Sequence, residues 1–171
     1  MNVTKILVPI DYSDHSDRAL RWGASLAEKY GAQLLLLHVI SRASEDLSEG
    51  GAERTDALLP FALDNPSVYR APNERGKVMT VDLVEMAESD LKDLAIAKVN
   101  ESLSVSPTVS VGKPAEEILR LAQEEAVDLI VMGTHGRSGL HHVLVGSVAE
   151  TVMRIAPCPV FTVKAGAQVA P

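Results

Sequence analysis

Short, nearly continuous apolar runs alternate along this chain with longer stretches whose apolar residues recur at helical spacing. Lys5–Pro9 and Gln33–Ile40 are two such runs, typical of parallel strands that are covered on both faces. Between them, Asp14–Tyr30 places its apolar residues on one helical face, and Gly31 stands where a helix commonly ends on a glycine. The three segments predict a parallel strand pair joined by a right-handed helical crossover.

The same alternation resumes in the second half of the chain. A helical stripe runs from Leu83 to about Leu103, and Ser106–Val111 is expected to be an outer strand. The remaining elements are a helix from Pro114, a strand Leu129–Met132, a helix Ser147–Ala156 and a last strand Val160–Lys164. The pattern predicts an α/β fold, a doubly wound five-stranded parallel sheet with helices on both faces. We expect the strand order 3-2-1-4-5.

The segment from Ser41 to Thr80 interrupts this pattern. It is rich in Ser, Glu, Asp, Pro and Gly, and so long an irregular connection is unusual in a compact domain. We therefore expect a flexible insertion within a single domain that covers residues 1–171. The apolar stretch Ala57–Leu63 inside it is interpreted as an anchor onto the body of the domain, with a partner-binding motif as the alternative.

Composition restricts the class of protein. Of 171 residues, 46% are hydrophobic and 23% charged, as in ordinary globular proteins. The formal net charge of −7 argues against a broad surface for nucleic acid or for anionic membranes. No apolar run is long enough for insertion into a membrane, and the first residues do not resemble a signal peptide, so we expect a cytoplasmic protein. A single cysteine, Cys158, excludes an internal disulfide.

A glycine-rich stretch follows the fourth expected strand. Gly133 and Gly136 are followed, after a spacer of nine residues, by Gly146 and Ser147 at the start of a helix. Glycines between a strand and a helix N-terminus let an anion approach backbone N–H groups, and the anion expected here is a phosphate. For any one glycine, a plain turn is the alternative. Ser147 also forms a capping-box pattern with Glu150, and both roles are compatible if the cap fixes the helix end that binds phosphate.

The expected strand order brings an acidic residue to the same place. Open parallel sheets bind ligands beyond the carboxyl ends of their strands, where the strand order reverses. In the order 3-2-1-4-5 that point lies between the first and fourth strands, so Asp11 would face the glycine stretch across one crevice. A carboxylate opposite a phosphate loop suits a nucleotide. His38, at the end of the second strand, is interpreted as a partly buried structural residue.

Several stretches of the chain resemble the universal stress protein family, and more closely its ATP-binding branch. They are Val-Pro-Ile-Asp-Tyr-Ser at 8–13, Leu-His-Val at 37–39, Val-Met-Gly at 131–133 and the G-x2-G-x9-G-S pattern from Gly133 to Ser147. The resemblance covers nearly the whole chain apart from the insertion. It implies a Rossmann-like fold of the kind found in adenine nucleotide alpha hydrolases.

The resemblance also implies a nucleotide site. By it, Asp11 and the backbone around Val39 hold adenine and ribose, while the glycine stretch surrounds ribose and phosphates. The expected ATP-binding residues are Pro9, Asp11, Val39, Met132, Gly133, His135, Gly136, Arg137, Gly146, Ser147 and Val148. Arg137 would neutralise phosphate charge, with a solvated cation as the alternative. A Mg²⁺ ion is expected to arrive with the ATP phosphates.

Other chemistries find little support in the sequence. His135, His141 and His142 suggest a metal, but no carboxylate or cysteine lies nearby at ligand spacing. Gly112-Lys113 is followed by proline, so the G-x4-G-K-[ST] phosphate loop is absent. We find no G-x-G-x-x-G after the first strand, no nucleophile elbow and no kinase-like lysine and aspartate set. No residue is assigned a catalytic role.

The sequence therefore predicts an ATP-binding stress protein that acts as a nucleotide-dependent regulatory module on an unidentified protein partner. A slow ATPase, assisted by His135 or a bound water, is one alternative. A dimeric interaction module without nucleotide is the other. Val160–Lys164 would lie at a sheet edge that invites pairing with another chain. Proteins of the resembled family commonly dimerise through that strand, so we expect a homodimer.

Overall fold

The structure, a computed structural model, describes residues 2–41, 76–134, 145–164 and 166–167, with no side chains for 76–83. Its elements are β1 (Lys5–Ile10), α1 (Asp14–Tyr30), β2 (Gln33–Ser41), α2 (Gly76–Lys98), β3 (Val105–Gly112), α3 (Pro114–Glu124), β4 (Leu129–Gly133), α4 (Ser147–Ile155) and β5 (Val160–Val163). The strands form one parallel sheet in the order β3-β2-β1-β4-β5. The expected fold class and strand order are confirmed.

The bounds of α2 differ from the sequence-based expectation at both ends. The helix begins at Gly76, so residues 76–80 are helical and do not belong to an irregular insertion. Residues 77–98 contain neither glycine nor proline, and nothing interrupts the helical hydrogen bonding there. At the other end, the Asn100 side chain accepts a hydrogen bond from Ser102 N at 3.1 Å, and this local turn competes with the helix. Ser41 belongs to β2, and residues 42–75 of the expected insertion, with Ala57–Leu63, lie outside the described residues.

The core consists of two apolar clusters, one on each face of the sheet. Cluster 1 lies beneath α1 and α2 and includes Ile6, Val8, Ile10, Leu20, Leu34, Leu36 and Leu91. Cluster 2 lies beneath α3 and α4 and includes Leu7, Leu35, Leu37, Ile118, Ile130, Met132 and Val152. Even-numbered and odd-numbered residues of β1 and β2 therefore enter different clusters, because successive side chains of a strand point to opposite faces. Burial on both faces explains the continuous apolar runs of these strands.

Both ends of α1 follow local signals. Ser13 is the N-cap, and its side chain accepts a hydrogen bond from Ser16 N at 3.2 Å. At the other end Gly31 has φ of 63°, the left-handed conformation in which glycine commonly ends a helix. The expected bounds of this helix, Asp14–Tyr30, are confirmed.

The amino ends of β1 and β4 are joined by a side chain. Asp128 Oδ2 accepts hydrogen bonds from Thr4 N and Thr4 Oγ1, each at 2.7 Å, and from Lys5 N at 3.0 Å. Asp128 N also donates to Lys5 O at 3.0 Å. These bonds lower the pKa of Asp128, with the Thr4 backbone N–H as the main cause, because they stabilise the ionised carboxylate.

Within the described ranges, no helix combines the length and the apolar character needed to span a bilayer.

Candidate functional site

The point where the strand order reverses lies between β1 and β4. From β1 the chain proceeds to β2 on one side, whereas β4 and β5 lie on the other side. The strands are parallel, so their carboxyl ends meet at the same edge of the sheet. Asp11, directly after β1, and Gly133, the last residue of β4, therefore flank the reversal point, as the sequence predicts.

The two central strands are paired only at their amino-terminal halves. The register joins Ile6 to Leu129 and Leu7 to Ile130, although the strands continue to Ile10 and Gly133. On the other side of β1, pairing with β2 extends through Ile10. The carboxyl halves of β1 and β4 are therefore free to diverge.

Pro9 explains why this ladder stops. Alternate residues of a parallel strand direct their backbone groups to alternate neighbours. Thr4 O accepts from Gln33 N of β2, whereas Lys5 O accepts from Asp128 N beside β4. Odd-numbered residues of β1 thus face β4, and Pro9, which has no N–H, occupies the position that would donate next. Pro9 thereby interrupts the hydrogen bonding between β1 and β4 where the crevice is expected.

A tight corner follows β1 and holds the Asp11 side chain. Asp11 Oδ1 accepts hydrogen bonds from Ser13 N at 3.0 Å and from Ser13 Oγ at 2.6 Å. Between them, Tyr12 has φ of 61°, in the left-handed region that few residues other than glycine adopt. Such conformations persist only where the surroundings enforce them, and they concentrate at functional sites.

His38 lies beneath this corner and is almost fully buried, with 8% of its surface exposed. Its Nδ1 is 2.8 Å from Ile10 O and must donate the hydrogen bond, because a carbonyl oxygen only accepts. The Tyr12 ring packs on the imidazole with 4.9 Å between the ring centroids. The burial of His38 agrees with the structural role expected from the sequence. The sequence does not indicate its hydrogen bond to Ile10 O or its ring contact with Tyr12.

Gly133 lets α1 approach the end of β4. A Cβ at this position would lie 2.8 Å from His15 Cβ and 3.1 Å from the His15 carbonyl carbon and oxygen, too close for any residue but glycine. The close approach inferred from the sequence therefore exists, but its nearest partner in the structure is His15 in the first turn of α1. No pattern in the sequence indicates this contact, since it joins residues far apart in the chain.

The start of α4 is held against the end of β4. Gly146 N donates to Thr134 O at 2.7 Å, closing the loop between these residues. Gly146 is the N-cap, with φ of −70° and ψ of 154°, and Ser147 is already the first residue of the helix. The capping-box interpretation of Ser147 is therefore wrong, because the N-cap falls one residue earlier, at Gly146.

This helix start offers backbone donors to a ligand. The first α-helical bond within α4 runs from Glu150 N to Gly146 O at 2.9 Å. The N–H groups of Ser147, Val148 and Ala149 precede it, and helix geometry gives them no partner inside the helix. Three such groups at the positive end of a helix dipole suit an anion.

An apolar wall adjoins these donors. Met132, which is 5% exposed, belongs to cluster 2. Val39 at the end of β2 and Val148 in the first turn of α4 are half-buried against the same cluster. Three expected site residues, from three different elements, thus belong to or pack against one apolar cluster, and Val148 is itself in the first turn of α4.

Three expected site residues, His135, Gly136 and Arg137, lie outside the described residues, as do His141 and His142. In the part of the chain that the structure describes, no group of three His, Cys, Asp or Glu side chains is placed to hold a metal ion. The pKa of the Cys158 thiol is raised, first by burial and then by the charge of Asp128, so this thiol is a poor nucleophile.

A family model named the universal stress protein family matches residues 2–164. Among curated proteins, universal stress protein MJ0577 of Methanocaldococcus jannaschii is 33% identical over 163 residues, which are 94% of each chain. Universal stress protein YxiE of Bacillus subtilis is 32% identical over 163 residues, covering 94% of this chain and 98% of its own.

Solved structures share the fold. The structure of MJ0577, presented as a structure-based assignment of biochemical function, superimposes with a TM-score of 0.71 at 26% identity, covering 98% of this chain and 100% of its own. A universal stress protein in complex with cAMP has a TM-score of 0.60 at 24% identity, covering 95% and 98% of the two chains.

Proposed function

Since the chain belongs to the universal stress protein family, we propose that it binds ATP, with Mg²⁺ on the phosphates, and acts in the cytoplasm as a nucleotide-dependent regulatory module. The single observation that carries the proposal is the convergence of a carboxylate corner, an apolar wall and a helix N-terminus at one strand-order reversal. These features match, in order, the ribose, the base and the phosphates of a nucleotide. The same fold holds cAMP in one family member.

The base and ribose are assigned to the wall and the corner. An adenine ring is flat and largely apolar, so Val39, Met132 and Val148 offer it a suitable surface. Backbone groups at the end of β2, around Val39, supply the hydrogen bonds to the base edge. Ser13 donates to Asp11 Oδ1, and we assign the Asp11 carboxylate to a ribose hydroxyl.

The phosphates are assigned to the loop and the start of α4. The N–H groups of Ser147 and Val148 donate to phosphate oxygens, and the Ser147 hydroxyl, which is not used as a cap, adds a further donor. Gly133, Gly136, His135 and Arg137 complete the proposed set, with Arg137 opposing phosphate charge. Pro9 keeps the crevice open beside them.

Replacing Gly146 by valine tests the phosphate assignment. The backbone of Gly146 is extended, with φ of −70°, so valine introduces no backbone strain there. Gly146→Val and Gly136→Val are expected to abolish ATP binding in calorimetric titration, because their side chains would block approach to the N–H groups. Gly146→Ser, small and a good N-cap, is the matched control and should still bind. Unchanged affinity in both valine variants would overturn the assignment.

Regulation is proposed rather than turnover, because the sequence contains no nucleophile elbow and no kinase-like lysine and aspartate set. ATP would favour one conformation of the loop, and a partner protein would recognise that conformation. Single-turnover release of phosphate would reveal a slow ATPase instead. Mass analysis of small molecules released from freshly purified, denatured protein tests the other alternative, a module without nucleotide.

The edge strand β5 supports a homodimer. Ile130 N donates to Pro159 O and Thr134 N to Val163 O, so odd-numbered residues of β5 face β4. The N–H groups of Val160 and Thr162 therefore point away from the sheet, where another strand can accept them. Phe161, 40% exposed, adds apolar surface beside this edge. Two copies related by a two-fold axis would pair antiparallel.

A proline at position 160 tests this interface. Val160→Pro removes an outward donor and leaves the ladder with β4 intact. Sedimentation should therefore show monomers, and the unfolding midpoint should stay near that of wild type. Phe161→Pro is the informative contrast, since it removes a donor that faces β4 and should lower the unfolding midpoint as well. A wild-type monomer at micromolar concentration, or a Val160→Pro dimer as tight as wild type, would rule out this strand as the interface.

A further inference from the structure

His38 contacts both neighbours of Asp11. Ile10 and His38 are directly opposite each other in the β1–β2 register, and the imidazole Nδ1 donates to Ile10 O at 2.8 Å. On the other side of Asp11, the Tyr12 ring lies 4.9 Å from the imidazole centroid and is tilted by 58°. One side chain therefore holds the residue before and the residue after the proposed ribose ligand.

His38 is buried on an apolar face of the sheet. It lies on the face of β2 that carries Leu34 and Leu36, both fully buried in cluster 1. An imidazole in such a place costs free energy unless its polar atoms are hydrogen-bonded, and an aliphatic side chain would pack there without that cost. An aliphatic residue would therefore be sufficient for packing at this position. The polar group that is present instead donates its hydrogen bond to the corner, at Ile10 O.

The corner needs such support. Tyr12 has φ of 61°, and an ordinary residue leaves this conformation unless its surroundings enforce it. The Asp11–Ser13 hydrogen bonds fix the corner from within. His38 fixes it from below through the Ile10 carbonyl and the Tyr12 ring. Without His38, the corner could relax, and the Asp11 carboxylate would turn away from the crevice.

We propose that His38 is a positioning residue: it sets the Ile10–Ser13 corner and thereby the orientation of Asp11 toward the ligand. The consequence for nucleotide affinity rests on the proposed function, whereas the effect on the corner does not. His38 itself faces cluster 1, on the opposite side of the sheet from the apolar wall proposed for adenine, and acts through Asp11.

Two variants separate the contacts of His38. His38→Phe keeps a ring against Tyr12 and removes the donor to Ile10, while His38→Asn keeps a donor and removes the ring. Leu34→Val, on the same strand and the same face but at the far end, is the control for a general loss of packing. All three are first compared by chemical unfolding, so that later measurements use folded protein.

Hydrogen exchange of the nucleotide-free protein reports on the corner directly, because Ser13 N donates to Asp11 Oδ1. We expect about tenfold faster exchange at Ser13 in His38→Phe, the loss of protection that corresponds to one buried hydrogen bond, and a smaller increase in His38→Asn. Leu34→Val should leave this amide as in wild type. Exchange no faster in either His38 variant than in Leu34→Val would overturn the proposal.

Titration with AMP and with ATP then tests the route through Asp11. His38→Phe should weaken both ligands by a similar factor, about tenfold, because Asp11 is assigned to the nucleoside part that they share. A loss confined to ATP would contradict positioning through Asp11. Failure of the wild-type protein to bind either nucleotide would overturn the proposed function, and Ser13 exchange would still decide whether His38 sets the corner.

Discussion

The two ends of the β1–β4 junction are built in opposite ways. At the amino end, Asp128 accepts hydrogen bonds from Thr4 and Lys5, and the ladder joins Ile6 and Leu7 to β4. At the carboxyl end, the ladder stops before Pro9, and the chain turns at Tyr12, whose backbone is in the left-handed conformation. The same pair of strands is hydrogen-bonded at one end, here called the closed end, and has no ladder at the other, here called the separated end.

This difference assigns distinct tasks to the two ends. Burial and hydrogen bonds at the closed end stabilise the sheet, and none of the proposed ligand contacts lies there. The separated end leaves backbone groups and a carboxylate accessible to a ligand at a cost in strand pairing. Variants at the closed end should therefore lower the stability of the fold and leave nucleotide affinity unchanged. Variants at the separated end should mainly lower nucleotide affinity.

The largest effect is expected for Leu7→Ala at the last paired position. Leu7 is fully buried in cluster 2, so the cavity should lower the free energy of unfolding by about 2–5 kcal/mol. Nucleotide affinity, measured well below the melting temperature, should stay near wild type. Val39→Ala is the matched variant at the separated end. Its loss of binding free energy should exceed its loss of unfolding free energy. Equal loss of affinity in both variants would show that the two ends are not independent.

An intermediate effect is expected for Pro9→Ala, which restores an N–H facing β4. The new donor lets the ladder continue and draws the strands together, so nucleotide affinity should fall about tenfold, close to 1.4 kcal/mol. Stability should change little, because one hydrogen bond of about 1 kcal/mol is offset by the greater freedom of the unfolded chain. Pro107→Ala in the edge strand β3 is the control for the added conformational freedom of the unfolded chain. Wild-type affinity in Pro9→Ala would contradict the role given to the missing donor.

The smallest effect is expected at the half-buried Asp128. Its pKa in the folded protein is lowered below the ordinary value of 3.8 by hydrogen bonds from Thr4 and Lys5, so its stabilising effect is complete above that value. The effect is lost as the pH falls from 3.8 through the lowered pKa. Asp128→Asn should unfold at lower urea near neutral pH, and the difference from wild type should shrink in acid. A difference that is constant with pH would exclude the ionised carboxylate as its source.

Local signals in the sequence were sufficient for the elements that they govern. The amphipathic stripe and Gly31 gave the bounds of α1, because a helical face and a glycine C-cap act within a few residues. The apolar runs gave the strands, and the sheet confirms their expected order, which is one of the common orders for five parallel strands. Local signals misplaced both ends of α2 and the N-cap of α4. The cap of α4 is Gly146, next to the expected residue, and the turn at Asn100 competes with the last turn of α2.

The sequence by itself thus determined a parallel α/β sheet with Asp11 and the glycine stretch at one strand-order reversal. Only the tertiary structure decided that Pro9 faces β4, that Gly133 makes room for His15 and that His38 holds the corner at Tyr12. Each of these facts depends on which strand or helix is the neighbour in space. A residue pattern records periodicity along the chain, whereas the direction of a backbone donor or the distance to a distant side chain is fixed when the sheet assembles.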